Sequence, residues 1–246
     1  FVNTTNKVNR LGNLYLDTTG VGTARNGLGA AGYGGDKAIF GYGQVSTLPY
    51  TNITNLISNL GVAAADVNSV GTARAWVAAA TYGGDKVIFG FGITGGSNTQ
   101  VSTFTYISNT GAYSSESTTA NTGPIVGKDG TAAAGYGGDK ALFYSGRVFG
   151  AGFAVGVKNL VSNTGVVASD SAALNGTFLH AGASYGGDKA IFGFGLSAGS
   201  IYLSTTNLVS NLGVVAAQTT SVGTARDYLA AAGYGGDKAI DRKSVV

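Results

Sequence analysis

In this chain of 246 residues, 15 basic side chains, 12 acidic ones and a single histidine are the groups available for chemistry, and there is no cysteine. Five acids and five bases stand next to one another, in Asp36-Lys37, Asp85-Lys86, Asp139-Lys140, Asp188-Lys189 and Asp237-Lys238. Enzymatic catalysis calls for a unique and asymmetric set of acid, base and nucleophile. One aspartate copied behind Gly-Gly in every repeat is instead the residue of a tight turn. A repeated cation site is the weaker alternative, because a calcium loop collects several carboxylates and Gly-Gly-Asp-Lys offers one. His180, the one histidine, stands where the other copies of its segment carry Leu28, Val77, Thr131 and Leu229. With no second unique base and no thiol beside it, it reads as a packed or ligand-contacting residue, and no catalytic residue, metal or cofactor is expected. Gly90, Gly92 and Gly95 spell the G-x-G-x-x-G of dinucleotide sites, yet Gly96-Ser97-Asn98-Thr99 begins no helix, so the match lacks its structural context.

An acidic or amide column, Asp17, Asp66, Glu116, Asp170 and Gln218, precedes a basic one, Arg25, Arg74, Lys128 and Arg226, with Thr177 at the basic position of the fourth copy. Asp17 to Arg25 and Asp66 to Arg74 are each eight residues apart, which predicts ion pairs linking neighbouring repeats. The formal charge of +3 is not gathered into the one-sided basic patch of a nucleic-acid binder. No apolar run reaches the roughly 18 to 20 residues of a membrane-spanning helix. Neither nucleic acid nor membrane insertion is expected.

A repeat positions these side chains. YGGDK begins at Tyr33, Tyr82, Tyr136, Tyr185 and Tyr234, at spacings of 49, 54, 49 and 49 residues. Each unit reads as four short segments: LAAAGY or its equivalent, AIFGYG or VIFGFG, a third of the type TNLVSN and a fourth of the type GVVAAQ. All are strand length and bounded by Gly, Asn, Ser or Asp, and none carries a helical apolar period. Gly-Gly-Asp-Lys and Ser-Asn-x-Gly supply the hairpin turns. The expected fold class is therefore all-β, with four antiparallel strands per unit. One such sheet cannot cover both of its faces, and stacking units in a ring does so, giving a β-propeller of about five four-stranded blades on the 49-residue repeat. The first segments, such as Val77-Ala78-Ala79-Ala80-Thr81, support the ring. Alanine and glycine are poor strand formers, and they suit strands crowded around an axis.

Arg25, a small-residue strand, Gly34-Gly35 and then Ala38-Ile39-Phe40-Gly41-Tyr42-Gly43 together resemble the kelch repeat, whose units also pair a Gly-rich hairpin with an aromatic-Gly ending. The resemblance spans nearly the whole chain and implies a propeller. The tyrosine and tryptophan spacing usual in the later kelch strands is missing. The near-identical GTAR and AAAGYGGDKAIFGYG copies are also similar to tail or fibre proteins of environmental phages, which implies virion assembly partners and a virion or extracellular location.

Phe1 is in phase with Tyr202, so the chain opens at a third strand and its repeat ends after a second strand near Ile240. Two strands from each end would complete one blade, so residues 1–17 are expected to pair with the sheet of residues 224–240. The propeller is assigned to residues 1–240. The tail Asp241-Arg242-Lys243-Ser244-Val245-Val246 reads as a translated sequencing adapter at the end of a contig, foreign to the repeat. Asp241 takes the place of Phe40, Phe89, Phe143 and Phe192, four rings expected to be buried between blades.

The informative signal is the difference between repeats. Gly-Gly-Asp-Lys and Ser-Asn-x-Gly hardly vary, whereas the opposite face receives the variable connections and the lead-ins Asn26-Gly27, Ala75-Trp76, Asp129-Gly130, Phe178-Leu179 and Asp227-Tyr228. Variable loops on a rigid scaffold are where recognition is built. Trp76, Phe178, His180, Tyr228, Asp227, Asn26 and Asp129 are the candidate binding residues. The expected function is non-enzymatic binding of a glycan or protein surface, the alternatives being a structural spacer or, less favoured, a glycan-active enzyme.

Overall fold

A computed structural model describes residues 3–5, 13, 15–16, 18–46, 49–95, 99–114, 116–117, 123–150, 153–173 and 175–243. Repeat 1 is an antiparallel sheet of Gly29–Tyr33, Lys37–Gly41, Ile53–Ile57 and Val67–Asn68, in sequence order. Repeat 3 (Ala132–Tyr136, Lys140–Tyr144, Val157–Val161, Ser171–Ala172) and repeat 4 (Ala181–Tyr185, Lys189–Gly193, Thr205–Val209, Thr219–Thr220) are the same. Repeat 2 has Ala78–Tyr82, Lys86–Gly90 and Phe104–Ile107, its fourth strand reduced to a bridge between Phe104 and Ser117. Repeat 5 is a hairpin of Leu229–Tyr234 and Lys238–Lys243. The only helical turn among the described residues is the short 3₁₀ segment Ala198–Ser200.

The first strands of consecutive repeats lie side by side, which accounts for their small residues. Thr81 Oγ1 donates to the Gly32 carbonyl at 2.7 Å and Ser184 Oγ to that of Gly135 at 3.0 Å. The turns join as well: Gly34, Gly83, Gly137 and Gly186 donate their N–H to the carbonyls of Asp85, Asp139, Asp188 and Asp237 at 2.6–2.7 Å. Within a repeat the two turns are tied by Asn59 to Asp36, Asn109 to Asp85 and Asn163 to Asp139, at 2.8–3.0 Å. The near invariance of both loops thus has a structural cause.

Three hydrophobic clusters fill three seams: Phe89 and Tyr42 between repeats 1 and 2, Phe143, Phe91 and Phe104 between 2 and 3, and Phe192 and Tyr144 between 3 and 4. Each phenylalanine reaches back onto the preceding repeat. A Cβ on Gly41 would stand 3.0 Å from the Phe89 ring, and one on Gly90 would stand 2.8 Å from that of Phe143, so glycine there makes the seat. Phe89, Phe143 and Phe192 are buried as expected, but Phe40 is 37% exposed. The reason is its place in the row: the segments described before repeat 1, Thr4–Thr5 paired with Thr18–Thr19, correspond to third and fourth strands, so no second strand of a preceding repeat is described for Phe40 to pack on.

Two further expectations are corrected. Among the described residues, Arg74 does not pair with Asp66 eight residues earlier. Arg25 instead meets Asp66 at 3.9 Å, Arg74 meets Glu116, and Lys128 meets Asp170 at 3.7 Å, each on its own sheet. Asp17 lies outside the described residues. The pairing follows from the third strand, whose Asn55 and Asn159 bridge base to acid: Arg25 donates to Asn55 at 2.6 Å, and Asn55 donates to Asp66 at 2.9 Å. Burial pushes Asp66 upward, but hydrogen bonds from Thr23 and Asn55 outweigh it and hold the carboxyl below its ordinary range. The link between repeats is made by the same cations through aromatic faces, Arg74 over Tyr42 at 4.4 Å, Lys128 over Phe91 at 4.1 Å and Arg226 over Phe194 at 3.8 Å. Where the cation is Thr177 the ring is Ser145, and Ser145 Oγ accepts the Thr177 N–H at 2.6 Å.

The second correction concerns the ends. Thr4–Thr5 pairs with Thr18–Thr19, and Leu229–Tyr234 with Lys238–Lys243, each as a two-stranded sheet, so the expected pairing of residues 1–17 with 224–240 is not formed among the described residues. Residues 241–243 continue the last strand in register, Ala231 opposite Asp241.

Candidate ligand-binding face

At the end of each first strand away from the Gly-Gly-Asp turn, the chain enters through a single residue in the left-handed region. Gly27 and Gly130 take φ of 60° and 61°, as glycine readily does, but Trp76, Leu179 and Tyr228 take 58°, 54° and 51°. For a bulky side chain that conformation costs roughly 1–2 kcal/mol. Backbone hydrogen bonds join these positions in two groups, Trp76 N–H to Gly27 O at 2.7 Å, and Leu179 N–H to Gly130 O at 2.9 Å with Tyr228 N–H to Leu179 O at 3.1 Å. Trp76 of repeat 2 and Tyr228 of repeat 5 meet with ring centroids 5.8 Å apart and planes tilted by 58°. Trp76 is half-buried and Tyr228 is 49% exposed.

Just before this position, the lead-ins of repeats 1 to 4 each bridge a residue 18 places later, at the end of the second strand, and the partners match in type. Asn26 faces Gln44, Ala75 faces Ile93, Asp129 faces Arg147 and Phe178 faces Leu196. Arg147 binds Asp129 at 2.5 Å and lies over the rings of Phe149 at 4.5 Å and Phe178 at 5.5 Å. Short arms, Ile93–Thr94 with Thr99–Gln100 and Arg147–Val148 with Phe153–Ala154, rise beside it. Gln100 clasps them together, donating to Asp129 and to the Arg147 carbonyl and accepting the Phe149 N–H at 2.7 Å.

The structure thus brings half-buried Trp76 against exposed Tyr228 and withdraws most of the other candidates. Phe178 and His180 are buried and offer no face to solvent, and the Asp129 carboxylate is spent on Arg147 and Gln100. Asp227 is buried, and Asn26 is half-buried in its bridge to Gln44. His180 packs edge-on against Tyr144 at 5.7 Å and beside Phe192 at 6.1 Å, and burial lowers its pKa to about 4. Sequence reasoning missed Arg147, Phe149, Tyr202 and Tyr50. Burial and the Asp227 carboxylate push the Tyr228 hydroxyl up, with Arg147 pulling it down and Asp129 and Tyr202 within electrostatic reach. Burial and Asp129 likewise raise Tyr50. Electrostatic influence thus reaches between residues of repeats 1 and 3 and among those of repeats 3, 4 and 5, and the matched pairs 18 apart were the signal that could have found Arg147. No group of three or more His, Cys, Asp or Glu able to hold a metal occurs among the described residues. No family model matches the sequence, and no curated protein matches it either.

Proposed function

We propose that the chain is a non-enzymatic recognition module, a β-propeller of kelch-like blades that binds a glycan through its variable face. A virion appendage or extracellular adhesin is the setting this reading favours. The observation that carries the reading is the pair Trp76 and Tyr228. Two repeats place glycine at the same left-handed position at no steric cost, so the aromatic rings stand there against the backbone's preference, and such strain gathers at functional sites. Exposed aromatic faces are surfaces on which sugar rings stack, and Arg147, Tyr202 and Tyr50 supply polar groups around them. A protein partner would use the same rings as anchors.

A glycan array probed with the intact chain tests the proposal. At least one glycan should bind, and Trp76→Ala should weaken that binding about tenfold or more, equivalent to about 1.4 kcal/mol, while leaving the thermal midpoint nearly unchanged. An array without binders, or binding indifferent to Trp76, would leave the face as a structural seam and favour the spacer reading.

A further inference from the structure

Repeats 1 to 4 carry one polar frame in four compositions, Arg25-Asn55-Asp66, Arg74-Thr105-Glu116, Lys128-Asn159-Asp170 and Thr177-Asn207-Gln218. Only the third combines a primary amine, a carboxamide and a carboxylate. Arg25 and Arg74 bear a delocalised guanidinium that stays protonated and is no nucleophile, whereas a lysine amine becomes one on losing a proton. Lys128 Nζ donates to Asn159 Oδ1 at 2.6 Å, one bond from the carboxamide carbon. Asn159 Nδ2 donates to Asp170 Oδ1 at 2.8 Å and to the Ala168 carbonyl at 3.1 Å. The same Asp170 oxygen lies 3.7 Å from Nζ, so one carboxylate oxygen faces both amine and amide nitrogen. The other carboxylate oxygen is held by the Val126 N–H at 2.9 Å. The Lys128 side chain is wholly buried, with Nζ 4.1 Å from the centre of the Phe91 ring. Burial lowers its pKa to about 8 against the pull of Asp170, which brings the neutral amine close to neutral pH.

We propose that Lys128 and Asn159 join in a self-formed isopeptide bond, with Asp170 as the proton carrier, tying the lead-in of repeat 3 to its third strand. Nζ gives its ammonium proton to Asp170 and attacks Asn159 Cγ with the freed lone pair. The Nζ–Cγ bond forms as the carbonyl pair moves onto Oδ1, and Asp170 then protonates Nδ2 and takes a second proton from Nζ. The carbonyl pair returns, the Cγ–Nδ2 bond breaks, and its electrons leave with ammonia. Nothing is oxidised or reduced, and no cofactor or second substrate enters. The reaction runs once per chain and is independent of the face around Trp76. Holding amine and carboxamide in contact supplies the effective concentration, and the dry wall at Phe91 keeps water from solvating the ammonium. The product replaces a buried ion pair, costly to desolvate, with a neutral amide.

Intact-mass spectrometry of the folded chain is the test. The mass should fall short of the sequence by one ammonia, and a tryptic digest after denaturation should contain peptides joined between Lys128 and Asn159, uncut after Lys128. Lys128→Arg, which restores the cation of repeats 1 and 2 without a nucleophile, should keep the full mass and the β-sheet spectrum and lower the thermal midpoint by at least about 5 °C. Asp170→Asn should slow bond formation by about a hundredfold or more, read as the joined fraction over time. The proposal is overturned if the folded chain keeps its full mass through prolonged incubation above pH 8, where the amine is free, or if trypsin cuts after Lys128. Ammonia loss that persists in folded Lys128→Arg, or joining at the original rate in folded Asp170→Asn, overturns it equally.

Discussion

The seam between repeats 2 and 3 and the seam between repeats 4 and 5 share a register and a polar frame and differ in their filling. Both have the turn-to-turn hydrogen bond at 2.6 Å, from Gly83 to Asp139 and from Gly186 to Asp237. Both set a cation on an aromatic face, Lys128 on Phe91 and Arg226 on Phe194. Only the first holds the phenylalanine, with Phe143 buried against Phe91 and Phe104 at 5.2 and 5.7 Å. Backbone and cation contacts therefore set how consecutive repeats align, and the ring adds apolar burial to an alignment already made. The first strands record the difference: Ala132–Tyr136 alternates buried and half-buried, whereas Leu229–Tyr234 is exposed from Ala232 to Tyr234.

The largest expected effect tests that division directly. Phe143→Ala should cost about 3–5 kcal/mol in chemical denaturation, the range for deleting a fully buried phenylalanine. Phe40→Ala, at a position where no glycine seat is described for the ring, should cost less than about 1 kcal/mol. Equal losses at the two positions would mean that the seam contributes nothing and that each ring serves only its own sheet.

The seam between repeats 3 and 4 adds a titrating group to the comparison. His180 is buried beside Phe192 with its pKa lowered to about 4, against about 6.5 when unfolded. Between those values the unfolded chain binds the proton and the folded chain does not, so stability is greatest above pH 6.5 and falls as pH drops toward 4. The full swing is about 3 kcal/mol. Since the chain has one histidine, loss of stability between pH 7 and 5 should be largely removed by His180→Leu, the residue found at positions 28 and 229. A variant with an unaltered pH profile would place the imidazole in contact with water.

The strand segments, both turns and the all-β class were legible because period and turn chemistry are local. The phenylalanine column was legible for the same reason at Phe89, Phe143 and Phe192, and failed at Phe40, where burial depends on a neighbour rather than on the residue. Ion pairing was misread because separation along the chain says little about which strands become adjacent: Arg25 reaches Asp66 through Asn55 on a third strand. Trp76 and Tyr228 were identified from variability in sequence, but their meeting across three repeats is a property of the stack. The matched pairs Asp129 with Arg147 and Asn26 with Gln44 were present in the sequence, and comparing repeats column against column would have exposed them.

The smallest effect is expected at Tyr228, on the sparsely filled last seam. Replacing it by glycine relieves the left-handed backbone at φ 51°, worth roughly 1–2 kcal/mol. Against this, glycine raises the entropy of the unfolded chain by about 0.5–1 kcal/mol. Loss of the ring contact with Trp76 removes about 0.5–1.5 kcal/mol more. These terms nearly cancel, so Tyr228→Gly should change stability by less than about 1 kcal/mol and leave the midpoint almost where it was. The same result at Trp76→Gly would show that both rings are dispensable to the fold, as residues kept for recognition should be. A loss above about 2 kcal/mol at Tyr228 would make the pair a clamp between repeats 2 and 5, holding the stack together where the missing phenylalanine does not.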